Sequence, residues 1–305
     1  TAIDLGTGRT AVAVSAGDGH TCAILDNGDL KCWGWDYRGQ LGDGGTTHQT
    51  STYTTAPSST AIDLGTGRTA VAVSAGDEHT CAILDNGDLK CWGHDAYGQL
   101  GDGGTTHLSN TKTTAPSSTA IDLGTGRTAV AVSAGQSHTC AILDNGDLKC
   151  WGRDNDGQLG DGGSSSTTYA PSSTAIDLGT GRTAVAVSAG NAHTCAILDN
   201  GDLKCWGEDN LGQLGIGGTP SPHRRTTPPS TAIDLGTGRT AVAVSASEGA
   251  HTCVILDDGS IKCWGRNNEG EFGDGTTTGS STPTSTGSLG TGRTAVSVGT
   301  GAYHT

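Results

Sequence analysis

The chain has 305 residues, 33% of them hydrophobic and 4% aromatic, with 51 glycines and no methionine; so thin an apolar supply excludes one large core and points to many small packed layers. A formal charge of −14, from 31 acidic against 17 basic residues, argues against nucleic acid or an anionic membrane as partner, because both require clustered Lys and Arg. No apolar run reaches the ~18 residues that cross a bilayer, no signal peptide is visible, and both ends fall inside a repeat, so the chain reads as a mature piece of something longer.

Ala2 to Leu5 is a weak strand candidate. Gly6-Thr7-Gly8-Arg9 follows it; this lacks the third glycine of a dinucleotide fingerprint and the G-K-[ST] of a phosphate loop, so it reads as a tight turn. Asp4 and Arg9 flank that turn, and the same pair returns as Asp63 with Arg68, Asp122 with Arg127, Asp177 with Arg182 and Asp234 with Arg239. An inter-strand ion pair is the expected reading, contributing little if exposed. Ala11 to Ser15 alternates small and branched residues, and Thr21 to Leu25 and Leu30 to Trp33 are short apolar runs about a turn, so each reads as a strand. Gly39-Gln40-Leu41-Gly42 then precedes a Ser/Thr-rich surface loop over Thr46 to Pro57, and its counterpart spans Gly217 to Pro229.

All of this repeats. The phrase Leu5-Gly6-Thr7-Gly8-Arg9 recurs from Leu64, Leu123, Leu178, Leu235 and Leu289, at steps of 59, 59, 55, 57 and 54 residues. Repeats begin near positions 1, 60, 119, 174, 231 and 285; five are complete and the sixth stops at Tyr303-His304-Thr305. No apolar helical period extends over ten residues. Four short strands per ~55-residue period is the pattern of a β-propeller blade, in which each sheet buries its faces against its neighbours. The expected fold is therefore all-β, with tandem four-stranded blades forming a single β-propeller repeat domain.

Gly17-Asp18-Gly19-His20-Thr21, Trp33-Gly34 and Gly39-Gln40-Leu41-Gly42 together resemble the signature of the regulator-of-chromosome-condensation repeat, and the resemblance covers the whole chain. It implies β-propellers, usually of seven blades, used for nucleotide exchange on the GTPase Ran, for other protein contacts, and in secreted forms for β-lactamase inhibition. Such a family fixes fold better than function.

The cysteines form five pairs at one spacing: Cys22 and Cys32, Cys81 and Cys91, Cys140 and Cys150, Cys195 and Cys205, Cys253 and Cys263. A three-residue turn Asp26-Asn27-Gly28, with Gly28 in the left-handed region, sets Cys22 opposite Cys32, where Cβ atoms lie ~4.5–5.5 Å apart. A two-residue turn Asn27-Gly28 would instead set Cys22 against Trp33. The first register, with one disulfide in each blade hairpin, is the expectation. Each ~11-residue loop closed in this way stabilises the fold by roughly 2–3 kcal/mol in the chain-entropy model. Bonds so regular place the protein in an oxidising compartment, at the cell surface or outside the cell, which disfavours the exchange-factor role.

His20, His79, His138, His193 and His251 each stand two residues before a cysteine. Two thiolates and an imidazole fall short of a four-ligand zinc site, so no metal is assigned and each histidine is expected to satisfy backbone groups at a blade corner. Trp33, Trp92, Trp151, Trp206 and Trp264 hold one position per repeat and read as core between blades. The turn Asp26-Asn27-Gly28-Asp29 offers too few oxygens for calcium.

Trp35, His94, Arg153, Glu208 and Arg266 occupy one position that varies between repeats, as a binding rim would. No unique nucleophile or carboxylate pair exists, so neither catalysis nor a cofactor is expected. The Ser/Thr/Pro stretches, including Thr46-Thr47, Ser164 to Thr168, Thr219-Pro220-Ser221-Pro222 and Pro228-Pro229-Ser230, suit O-linked glycans, since no N-x-[ST] sequon occurs. These features point to an extracellular structural or adhesive repeat protein that builds or decorates a surface layer or filament and contacts itself or another extracellular protein. The alternative is a secreted propeller that binds or inhibits one partner.

Overall fold

A computed structural model describes residues 2–45, 53–104, 112–164, 167–218 and 224–305. It contains five four-stranded antiparallel sheets, and among the described residues no helix. The first sheet runs β1 (Ala11–Ala16), β2 (His20–Leu25), β3 (Leu30–Trp35) and β4 (Tyr53–Thr54), in that spatial order. The second comprises β5 (Ala70–Ala75), β6 (His79–Leu84), β7 (Leu89–His94) and β8 (Lys112–Thr113). The third holds β9 (Ala129–Ala134), β10 (His138–Leu143), β11 (Leu148–Arg153) and β12 (Thr167–Thr168). β13 (Ala184–Ala189), β14 (His193–Leu198), β15 (Leu203–Glu208) and β16 (Arg224–Arg225) make the fourth. The fifth is β17 (Ala241–Ala246), β18 (His251–Leu256), β19 (Ile261–Gly265) and β20 (Ser280–Ser285).

Register follows from the turn. Gly28 has φ +81°, and its N–H donates to Leu25 O at 2.9 Å, which closes the three-residue turn and pairs Cys22 with Cys32. The same pairing holds for Cys81 with Cys91, Cys195 with Cys205 and Cys253 with Cys263. Each of these four pairs is bonded, with S–S 2.01–2.07 Å. Cys140 and Cys150 are disulfide-bonded as well, and no free cysteine occurs among the described residues.

Two sequence expectations are corrected here. Ala2–Leu5 forms no strand; the outermost strand is instead the two-residue piece that pairs with the end of the third, as Gly34 with Thr54 and Trp35 with Tyr53. Glycine turns follow the Ala2–Leu5 segment too closely for a ladder. It is held by single bonds: Lys31 Nζ donates to Leu5 O at 3.0 Å, and in the second repeat Ile62 N–H donates to Leu30 O of the preceding hairpin at 2.9 Å. Nor does Asp4 pair with Arg9. Asp4 Oδ1 accepts the Gly6 N–H at 2.9 Å, and Arg9 reaches Asp26 in the hairpin turn at 3.3 Å. Arg68 with Asp85, Arg127 with Asp144 and Arg182 with Asp199 repeat that contact. Arg239 holds both Asp257 and Asp258.

The described chain divides into two compact units, the first mainly residues 1–144 and the second mainly 174–305, with the division falling at the third sheet. In the first unit, β1 and β2 pack on β5, and β5 and β6 pack on β9. In the second, β13 and β14 pack on β17. Each joint is a small apolar layer. One is made from Ile24, Leu30 and Leu41 of the first sheet against Leu64, Ala82, Leu84 and Trp92 of the second, with the Cys22–Cys32 bridge among them. Leu203 and Leu214 against Val254, Leu256 and Trp264 form its counterpart in the second unit. Among the described residues the apolar side chains are thus spread over several small layers, as the apolar content leads one to expect.

Candidate functional site

Two features stand out among the described residues: a buried polar joint between successive blades and a rim of side chains that differ from blade to blade. The joint uses the phrase that ends in His-Thr. His20 Nε2 lies 2.7 Å from Thr80 Oγ1 of the next blade, Thr80 donates to the Gln40 carbonyl at 2.8 Å, and the Trp92 indole donates to the same carbonyl at 3.1 Å. One backbone oxygen of a blade thus accepts two donors from the blade that follows. His79, Thr139, Gln99 and Trp151 repeat the set at 2.9, 2.8 and 3.0 Å. So do His193, Thr252, Gln213 and Trp264 in the second unit, at 3.0, 2.9 and 2.9 Å.

Proton positions follow from that arrangement. A threonine hydroxyl has one hydrogen, which goes to the glutamine carbonyl, so the imidazole must donate through Nε2–H and keep Nδ1 as an acceptor. Burial pushes the pKa of His20 down to about 4. That of His79 falls to about 3 for the same reason, with His20, His138 and His94 nearby. His138 is lowered to about 3 by burial and then by Arg153. Neutral imidazole is therefore the working form of the joint.

His251 shows a variation. The fifth blade has one extra residue in its corner, and Ser247 Oγ lies 2.9 Å from His251 Nδ1 while His251 Nε2 meets Thr305 Oγ1 at 3.1 Å. Sequence reading placed backbone groups opposite these histidines. The partner is instead a threonine side chain some sixty residues along, because the next blade, not the local chain, faces the imidazole. Gln40 and Thr80 are members of the joint that the sequence reading did not assign, although the threonine recurs in every repeat and the glutamine in the first four.

Trp92, Trp151, Trp206 and Trp264 are fully buried. Trp33 differs: its blade is the first and it is only half-buried.

The rim begins where the third strand of each blade ends. In the first unit Trp35 stacks on Tyr37 with centroids 6.2 Å apart and planes at 16°, and Arg38 lies 4.9 Å over the Tyr37 ring. Arg38 Nε reaches Glu78 at 3.2 Å, and Glu78 also meets His94 Nδ1 at 3.2 Å. His94 sits edge-on to Tyr97, and the Arg153 guanidinium is 5.9 Å from the Tyr97 centroid. Three of the variable residues, Trp35, His94 and Arg153, are thereby linked through one chain of contacts. Beside it, burial together with Asp18 and Glu78 pushes the Asp77 carboxyl up to about 7. In the second unit Glu208 accepts from Asn210 and Gln213, and Arg266 lies over Tyr303 at 4.9 Å, near Glu269 and Glu271.

Equivalent clefts of about 500 and 340 Å³ lie beside Lys31 and Lys90. Both lysines already donate to backbone carbonyls, and the remaining lining is small residues, turn aspartates and one leucine and one isoleucine in each, Leu41 and Ile62 or Leu100 and Ile121. The glycan-prone stretches Thr46-Thr47 and Thr219-Pro220-Ser221-Pro222 lie outside the described residues, as do Ser165 and Ser166.

Residues 2–305 match the model of the RCC1-like domain. The chain belongs to the RCC1-like domain family. It is 29% identical over 266 residues to the ultraviolet-B receptor UVR8 of Arabidopsis thaliana, covering 86% of this chain and 54% of that protein. To the probable E3 ubiquitin-protein ligase HERC6 of Homo sapiens it is 28% identical over 267 residues, covering 87% of this chain and 24% of HERC6. Its match to these relatives therefore spans about half of their length or less. Among solved structures, human WBSCR16 superposes with TM-score 0.81 at 21% identity, covering 96% of this chain and 70% of that one. Yeast RCC1 (Prp20), crystallised with Kap60, gives 0.78 at 18%, covering 97% and 65%. At these identities the structural likeness establishes the β-propeller blade fold of the RCC1-like domain. The repeat phrases named from sequence are the residues that build its inter-blade joints.

Proposed function

We propose that this RCC1-like chain is a non-enzymatic extracellular module that builds or decorates a surface structure. The observation that carries the reading is the oxidised cysteine pair in each blade hairpin, recurring in all five repeats. Thiols in a reducing cytosol would not persist in that state, whereas small secreted units use disulfides to offset a thin core. Identical joints and near-identical strands suit a building block, in which each unit needs only to hold its neighbour.

Immunogold labelling of intact against permeabilised source cells tests this. Label on intact cells is the expected result, and label appearing only after permeabilisation, with reduced cysteines on thiol trapping, overturns it.

A second reading has its own support. The contact chain from Trp35 through Tyr37, Arg38, Glu78, His94 and Tyr97 to Arg153 gathers the residue types that dominate binding hot spots, on positions that vary between repeats. Proteins similar to this chain include a receptor, a probable ubiquitin-protein ligase and a protein crystallised with Kap60, so capture of a protein partner by this rim is the alternative role. An extracellular partner retained by the native chain but lost by a Trp35→Ala, Arg153→Ala double variant of unchanged stability would favour it over scaffolding. Exchange on a GTPase is the least favoured assignment, since the compartment inferred from the disulfides is wrong for it.

A further inference from the structure

The position that begins the turn after each third strand is Asp36, Asp95, Asp154, Asp209 and, in the fifth blade, Asn267. In every blade one side-chain oxygen accepts the N–H five residues on: Asp36 from Leu41 at 2.9 Å, Asp154 from Leu159 at 3.1 Å, Asn267 from Phe272 at 2.9 Å. The second atom separates the blades. Asn267 Nδ2 is a donor and uses it, reaching Thr276 O at 3.2 Å, Thr276 Oγ1 at 3.1 Å and Thr278 O at 3.1 Å. In the fifth blade the site is therefore built around a donor pointed at loop oxygens.

Asp154 puts a carboxyl oxygen there. The residue has no exposed surface, and Oδ2 has no hydrogen-bond partner among the described residues. The charged groups facing it are Asp161 and Asp156, both of its own sign, and Arg224; Arg224 donates to the Asn155 carbonyl at 2.7 Å. An ionised carboxylate here would be buried, offered one shared cation and set against two like charges, which is an unfavourable state. A neutral carboxylic acid is isosteric with the Asn267 amide and supplies the same kind of donor.

We propose that Asp154 holds a proton in the folded blade and acts as a pH-operated clasp on the corner between the third strand and the loop that starts at Asp161. Protonated, it presents an O–H where Asn267 presents an N–H. When the proton leaves, the carboxylate is repelled by Asp161 and Asp156, and the corner is relieved only by letting water in. Burial first, then these neighbours, raises the carboxyl to about 7, against 3.8 for the free side chain. The sign follows: the folded blade binds this proton more tightly than the unfolded chain, so the clasp is closed in mild acid and released as pH rises through about 7. The inference does not depend on compartment or partner.

The test compares Asp154→Asn with the native chain by thermal unfolding from pH 5 to pH 9. The difference between the two curves removes every other titrating group. The native chain is expected to lose stability relative to the variant as pH rises from 5, with the difference levelling off above about pH 7. Parallel curves, or a native chain that gains on the variant as pH rises, overturn the proposal. Should the variant not fold, the ¹³Cγ shift of Asp154 in the native chain is decisive: titration near neutrality supports the clasp, and titration in the ordinary carboxylate range refutes it.

Discussion

Replacing Thr80 with valine removes one hydroxyl and nearly preserves shape, so it isolates the inter-blade joint. Two bonds disappear. The donation to Gln40 O contributes about 1 kcal/mol net, and Gln40 O keeps a partner in the Trp92 indole. The His20 Nε2–H, buried and tied only to Thr80 Oγ1, is left without an acceptor, which costs about 1–3 kcal/mol. The expected loss is thus about 2–4 kcal/mol, large against a typical domain's net stability.

Urea titration followed by tryptophan fluorescence and far-ultraviolet circular dichroism reads this as a lower midpoint. Thr80→Ser keeps the hydroxyl and is expected to lose less than half as much. A Thr80→Val midpoint indistinguishable from that of the native chain, or a serine variant as damaged as the valine one, would refute the assignment of the hydroxyl as the joint.

Acid should unfold the chain through its histidines. His20, with a pKa of about 4, and His79, at about 3, bind protons less well when folded than the 6.5 of the free side chain. Their contribution is complete above pH 6.5 and is lost as pH falls toward 4, by on the order of 3 kcal/mol each. A melting temperature that drops steeply over that interval is the expected readout, opposite in sign to the Asp154 contribution. Gly42 has φ +71°, and a methyl group there would collide with the Trp92 indole; Gly42→Ala is expected to destabilise by about 1–3 kcal/mol and to change Trp92 fluorescence. Replacing Cys81 and Cys91 together by alanine should remove roughly 2–3 kcal/mol, visible as a lower urea midpoint that matches partial reduction of the native chain. Arg68→Ala breaks a half-exposed pair with Asp85 and should cost less than about 1 kcal/mol by the same titration.

The amino-acid order determined whatever is settled inside one hairpin. Asp26-Asn27-Gly28 closes a three-residue turn because glycine alone tolerates its last position without strain. That turn fixes the register, and the register places Cys22 on Cys32. Recurrence of the same phrases at steps of 54 to 59 residues then gave the blades and their number among the complete repeats. The turn, the register and the disulfide involve residues within about fifteen positions of one another, so local geometry suffices for them.

Tertiary structure decided every contact made across a blade boundary. Thr80 belongs to the same phrase as His79, yet its imidazole partner is His20; in identical repeats, nothing in sequence separates a partner in the same unit from its copy in the next. Within a single blade, too, proximity in sequence misleads: Asp4 lies nearer Arg9 along the chain, but the folded hairpin turn brings Asp26 to it. The proton proposed on Asp154 is likewise a property of what surrounds it, because Asp and Asn fit the turn equally well and it is burial in the folded blade, with Asp161 and Asp156 beside it, that makes the charge costly.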